Sequence, residues 1–364
     1  MAWLLILALA APRPGFCWGE RGHNAIARAA AMRMSMDVAV DSGAAGYFQR
    51  YALELGHIAN IPDIYWRSLG KDYDALNSPT HYIDADAWTD DIASLPLDYA
   101  RAKELASKSR VDGKPVGLFE NGTLIWRAQQ LYEKMAAAFA RAKSEEPGSK
   151  AFKADVQQAL VYGGLMAHFI GDASMPYHTT IDHDGYATGN GGIHAFFESD
   201  VPNTETPALE LDVYRRLPRA AAAFEVDKKF AAGKRQPAAY LARALCVQAF
   251  ARIGETRAID DRFIIGRSLP AAPGRPKAPA VRGASPVAAA AAFHPLIEEQ
   301  LALAAAVLTR LWRGAWEEGG KPDLSKAHTY AYALEPEFVM PDYDLDAVKS
   351  AQAKRAPKSE LQPR

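Results

Sequence analysis

Residues 167–200 read A-H-F-I-G-D-A-S-M-P-Y-H-T-T-I-D-H-D-G-Y-A-T-G-N-G-G-I-H-A-F-F-E-S-D. Four of the chain's nine histidines fall here, as His168, His178, His183 and His194, together with Asp172 and Glu198. The stretch from Gln158 to Gly171 has a helical pattern. On a helix, residues i and i+4 share a face, so His168 and Asp172 aim an imidazole and a carboxylate at one point. Pro176 stops that helix, and the turn brings His178 in from another direction. Gly191 and Gly192 open a second helix, where His194 and Glu198 repeat the i, i+4 device. Nitrogen and oxygen donors in this arrangement suit zinc. The rest of the chain is expected to bring further ligands to this centre.

The 364 residues are 49% hydrophobic and 23% charged, an ordinary globular composition. A formal net charge of −1 leaves no basic field to gather nucleic acid or anionic lipid. A phosphate substrate would therefore take its countercharge from bound metal. Of two cysteines, Cys17 falls in the N-terminal segment and Cys246 on an apolar helical face, so no internal disulfide is expected.

Met1 to Ala11 is an apolar run too short to span a bilayer. With Gly15 and Cys17 placed for cleavage before Trp18, residues 1–17 read as a signal peptide, although no basic residue precedes the apolar run. Cys17 as a lipid-anchor cysteine is the rival reading. Cleavage predicts a secreted or periplasmic protein with no transmembrane segment after processing.

Trp18 then opens W-G-E-R-G-H-N-A-I-A-R-A-A-A, an alanine-rich helix with His23 in its first turn. Trp18 is a buried aromatic or, once cleaved, a free α-amine that can bind metal through nitrogen and backbone oxygen. A helix over Ala44–Asn60 leads to I-P-D-I-Y-W, where Asp63 is a turn residue or a ligand. S-P-T-H-Y-I-D presents His81 rigidly, with Asp84 three residues on; His81 alone would pass for a surface histidine. Tyr99–Arg110, Gly122–Glu146, Pro207–Gly233, Gln236–Ile265 and Glu298–Glu318 have helical periodicity, and their apolar stripes read as core. Residues 268–285 are Pro/Ala-rich and read as a flexible loop, and residues 347–364 as a polar tail. The expectation is all-α: a single mainly helical domain over 18–346 with long ligand-bearing loops.

Five motifs taken in order, W-G-x-x-G-H, P-D, T-H-Y-I-D, H-F-I-G-D-x-x-x-P-x-H and G-x-H-x-x-F-E, resemble the zinc-dependent phospholipase C and S1/P1 nuclease superfamily. The resemblance covers about Trp18 to Val201. It implies a mostly α-helical fold holding three zinc ions. Asp63, His81, His168 and Asp172 match the ligands of one. Trp18, His23 and the shared Asp172 match those of a second, close to the first. His178, His194 and Glu198 match those of the third. Asp63 and Asp84 are the candidate catalytic carboxylates, with Asp84 either a general acid or base or only a loop carboxylate. His57, His183, His294 and His328 receive no role.

Glu198 and the short interval from His178 to His194 are similar to the phospholipase branch. The Trp18–His23 spacing and His81 followed by Asp84 are similar to the nuclease branch. There an Arg three residues after the Asp63 position pairs with the Asp84 position; here that place holds Trp66, with Arg67 one later, and the hinge carries Met175 where the nucleases have Gln. The expectation is a zinc hydrolase of phosphate esters, phospholipase C-like, using a metal-activated water on a phospholipid head group. The alternative is an S1/P1-like single-strand nuclease or 3'-nucleotidase, with bases stacked on Tyr65, Trp66, Tyr177, Tyr186 or Phe197. A third reading is a non-catalytic structural zinc protein. No stable protein partner is implied.

Overall fold

The computed structural model describes residues 18–37, 39–87, 89, 91–111, 113–204, 208–224, 236–273 and 275–355. The expected leader, residues 1–17, lies outside them, as does the end of the expected tail.

The chain enters through α1 (Gly19–Met34), whose alanines bury one after another and let its neighbours approach closely. The helix expected over Ala44–Asn60 is two, α2 (Ser42–Arg50) and α3 (Ala52–Ile58), divided at Tyr51. The Tyr51 hydroxyl donates to the Thr329 carbonyl and accepts from the Thr329 amide, a long-range tie that local periodicity does not reveal. Helix α4 (Ile61–Ser68), opened by Pro62, and α5 (Lys71–Asn77) carry the chain to the His81 loop. Helix α6 (Tyr99–Lys108) follows, with a two-residue ladder of β1 (Arg110–Val111) and β2 (Lys114–Pro115).

The centre is built by α7 (Leu124–Ser144) and α8 (Lys150–Ala173), which pack along each other. The Ser149 side chain accepts from the Phe152 amide and starts α8. Along its second half α8 is buried nearly all round, against α1, α3 and α7. Its polar His168 and Asp172 therefore sit inside the protein. The short α9 (Ile193–Ala195) continues into a π-helical turn at Phe196–Asp200. Beyond it run α10 (Leu209–Ala223), α11 (Pro237–Ala251) and α12 (Ile253–Asp260).

The stretch expected to be a flexible loop is instead the arm of a hairpin. Strands β3 (Ile264–Gly266) and β4 (Val281–Arg282) pair antiparallel, and isolated bridges join Leu269 to Ala278 and Ala272 to Arg275. Helix α13 (Pro286–Glu318) is long and apolar enough to cross a membrane by composition, yet most of it is buried against α1, α7, α8 and α10. It is the core helix of this fold.

The expected polar tail is also structured where it is described. Helix α14 (Leu345–Arg355) lies on α5, with Val348 and Ala351 packed beside Leu76 and Phe119 in a small second cluster. The fold is mainly helical, with one main apolar core running from Trp18 to Ala327.

Candidate metal centre

Every residue expected as a ligand arrives at the C-terminal end of α8. His23 comes from α1, Asp63 from α4, His81 from the loop after α5, His168 and Asp172 from α8, His178 from the 3-10 turn after it, and His194 and Glu198 from α9 and its π-helical extension. Three groups of donors converge there: His23 with Asp63 and His168, His81 with His168 and Asp172, and His178 with His194 and Glu198. These buried groups could hold metal ions.

Asp172 joins them. Its Oδ2 lies 3.1 Å from His81 Nδ1 and 3.3 Å from His168 Nε2. Its Oδ1 lies 3.5 Å from His23 Nε2 and 3.6 Å from His178 Nδ1. Asp63 Oδ1 stands 3.6 Å from His81 Nδ1 and 3.9 Å from His168 Nε2. In the third group, His178 Nε2 is 3.0 Å from His194 Nε2 and 3.3 Å from Glu198 Oε1, and His194 Nε2 is 2.7 Å from Glu198 Oε2. The main-chain nitrogen of Trp18 donates to Glu198 Oε1. The expected grouping put Trp18 with Asp172; its nitrogen also borders the third group.

The donors fit divalent metal. Tetrahedral zinc with bonds of about 2.0–2.1 Å keeps its ligand atoms about 3.3 Å apart, and the spacings above lie around that value. Both ring nitrogens of His23 and Nδ1 of His178 are buried without a hydrogen-bond partner, which is costly for polar atoms unless something else satisfies them. Gly171 matters to this packing, since a Cβ there would lie 2.8 Å from His23 Nδ1. His168 Nδ1 faces the Ala59 carbonyl at 2.8 Å; donation there leaves the Nε2 lone pair for the cluster.

The protonation states point the same way. Burial drives His168 down to about 3, and burial, followed by electrostatic coupling to the adjacent His168, holds His23 well below the usual range. Burial also lowers His81 and His178. For Glu198 burial opposes ionisation, but His194 and His178 outweigh it and hold the carboxyl well below its ordinary value. Neutral imidazoles and ionised carboxylates are the forms that bind metal.

Around this centre the structure shows pairings that the sequence did not. Asp84 faces His183 Nε2 at 3.0 Å, and the other ring nitrogen of His183 faces the Tyr177 carbonyl at 3.1 Å. Burial disfavours the charge on His183, but Asp84 overcomes it and raises the pKa; burial raises Asp84 too, against the pull of His183. Arg67 binds Asp63 at 3.0 Å, not Asp84. Trp66 turns into the core, where its indole donates to the Pro336 carbonyl. Met175 is buried and its sulfur accepts from the Tyr177 amide, so it shapes the hinge.

Of the aromatics proposed for base stacking, Trp66, Tyr177 and Phe197 are buried in the core and cannot stack a base. Tyr65 and Tyr186 are half-buried. His57 is exposed, with Nε2 at 2.7 Å from the Leu334 carbonyl, away from the cluster. A cleft of about 350 Å³ opens beside the donors, lined by Gly19, Glu20, Asn60, Asp63, Ile64, Ser199 and Asn203, with no Lys or Arg among them.

No family model matches the chain. A probable serine protease of Bradyrhizobium tropiciagri is 25% identical to it, over 47% of this chain and 27% of that protein. The chain thus spans about a quarter of the length of the curated relative it matches.

Proposed function

We propose that the chain is a zinc-dependent hydrolase of phosphate esters, phospholipase C-like, acting outside the cytoplasm. The observation that carries this reading is the two-sided Asp172 carboxylate, with imidazoles on both oxygens and a third donor group alongside. The resemblance noted in the sequence implies three zinc ions for such a set. Bound zinc supplies Lewis acidity and lowers the pKa of a water towards neutrality.

The residues have separable duties. His23, His81, His168, His178 and His194 offer ring nitrogens, and Asp63, Asp172 and Glu198 offer carboxylate oxygens. The Ala59 carbonyl fixes the tautomer of His168, and Arg67 fixes the orientation of Asp63. Asp84, its pKa raised by burial and its position held by His183, is the carboxyl suited to move a proton. The cleft offers an anionic substrate no lysine or arginine, so its phosphate would be held by the metals.

A phospholipid head group is preferred to a single-stranded nucleic acid because three of the five candidate stacking rings are buried, and because acidic Glu20 lines the cleft without a basic partner there. The nuclease and 3'-nucleotidase reading remains the alternative. A purely structural role for the metals suits the site less, since a cleft reaches Asp63 and structural zinc is usually closed by four ligands, often Cys.

The relative's name gives a second hydrolase reading. A serine protease needs a histidine nitrogen free to take the serine proton. In the Asp84–His183 pair both ring nitrogens are committed, to Asp84 and to the Tyr177 carbonyl. We therefore carry over the hydrolase class and not the protease mechanism.

The test supplies phosphatidylcholine vesicles, single-stranded DNA and RNA, and a denatured protein to the zinc-loaded enzyme, each with and without chelator. Release of phosphocholine that chelator abolishes is expected. Chelator-sensitive cleavage of nucleic acid alone would move the assignment to the nuclease branch. Chelator-resistant proteolysis would overturn it.

A further inference from the structure

Two backbone hydrogen bonds and one from a backbone amide to a side-chain hydroxyl join the β3–β4 hairpin to the segment that precedes His194. The Ser268 amide donates to the Gly189 carbonyl at 3.0 Å, the Gly191 amide donates to Ser268 Oγ at 2.9 Å, and the Ala280 amide donates to the Gly191 carbonyl at 2.9 Å. A buried charge pair lies across the same junction. Arg282 donates from Nε to Asp260 Oδ1 at 2.7 Å and from Nη2 to Asp260 Oδ2 at 2.9 Å. Its Nη2 also reaches the Asn190 carbonyl at 3.2 Å, and the Asn190 side-chain amide donates to Asp260 Oδ2 at 2.9 Å.

Arg282 also contacts the chain just after His194. Its guanidinium sits 4.6 Å over the ring of Phe196, in the π-helical turn that delivers Glu198. His194 is thus flanked in sequence by two residues that contact one arginine. The helix bearing it, α9, runs only over Ile193–Ala195 and starts from Gly192 at φ 86. Even with its π-helical continuation to Asp200 the helical segment is too short to hold its own geometry, so the orientation of His194 depends on what packs against it. His194 is also the most open ligand of its group: its side chain is 18% exposed, against 3% for His178 and none for Glu198.

We infer that Arg282, anchored by Asp260, is a positioning residue that sets the His178–His194–Glu198 group for metal from the far end of the Pro/Ala-rich hairpin. The inference rests on the metal reading of that group. It makes the hairpin a specific support of one metal position, and that position the one whose occupancy responds to the hairpin.

The experiment measures zinc affinity by competition with a chromophoric chelator, for the wild type, Arg282→Lys, Arg282→Ala and Asp260→Asn. Lysine keeps the charge but cannot make the two-pronged contact, so Arg282→Lys reports on the role even where the alanine variant, which strands a buried carboxylate, fails to fold. The expected result is one zinc weakened about 10- to 100-fold, the usual cost of losing an outer support of a metal ligand, with the remainder unchanged. In a His194→Ala background, Arg282→Lys should add no further loss at that zinc, because both changes act on one element. Unchanged affinities in all three variants, or an equal weakening of every zinc, would overturn the positioning role while leaving the metal centre in place. Wild-type protein that takes up no zinc overturns the metal centre itself, and the positioning role with it.

Discussion

The main-chain nitrogen of Trp18 donates to the Glu198 carboxylate across 180 residues of sequence. The contact is held in place: the Trp18 indole donates to the Gly171 carbonyl at 2.8 Å, and its ring lies 5.5 Å from that of Phe197. A nitrogen so fixed beside ligands is a metal donor only as a free amine, whose pKa of about 8 lets metal displace its proton. N-terminal sequencing of exported protein should find Trp18 first. A form that keeps the preceding residues should bind one zinc less tightly than the processed form, measured by equilibrium dialysis. Equal affinity would remove Trp18 from the ligand set.

Asp172 presents different histidines to its two oxygens. Asp172→Asn should therefore weaken two zinc ions together, whereas His194→Ala should weaken one. His57→Ala should leave metal content and activity near wild type, since that ring sits exposed on the Leu334 carbonyl. Elemental analysis after dialysis reads all three. Asp172→Asn and His57→Ala behaving alike would show the ligand assignment to be poor.

The metal-free protein should lose stability as pH falls from about 6.5 towards 3. His168 titrates near 3 when folded and near 6.5 when unfolded, so in that window the unfolded chain binds more protons, and stability rises with pH. Buried His23, His81 and His178 are lowered as well and add slope of the same sign. Glu198, depressed when folded, contributes stability present above its unfolded value and lost as pH falls, again the same sign. Denaturant titrations from pH 7 to pH 4 should show a steep fall, and His168→Asn should flatten it. A flat profile would contradict buried neutral histidines.

Asp84→Asn should lower kcat about 100-fold or more on a phosphodiester, the range for loss of a general acid or base, with zinc content unchanged. His183→Gln should lower kcat less and shift the pH profile, because it acts through Asp84. A change in zinc content matched to the loss of activity would make the pair a loop staple.

Much of this candidate centre was legible because donor residues on helices obey local spacing. His168 and Asp172, and His194 and Glu198, are i, i+4 pairs, and Pro176 marks the turn to His178. The bond between Asp63 and Arg67 is also i, i+4 and could have been read from α4. The Asp84–His183 pair could not, since its members lie 99 residues apart in unrelated loops. Composition misled at the Pro/Ala-rich stretch, where order comes from contacts with Gly189, Asn190 and Gly191 on another segment. The break at Tyr51 coincides with a bond to Thr329 that no local window contains. In the tail, Val348 and Ala351 were too few to signal a buried helical face, and the partner surface on α5 was out of view.

The most direct measurement of the central claim is the zinc content of the processed, folded protein, taken with its hydrolysis of a chromogenic phosphodiester before and after chelation. About three tightly held zinc ions per chain are expected, lost to chelator together with activity and restored together on adding zinc back. Folded protein that holds no more than trace zinc, or hydrolysis that persists once the metal is gone, would contradict it.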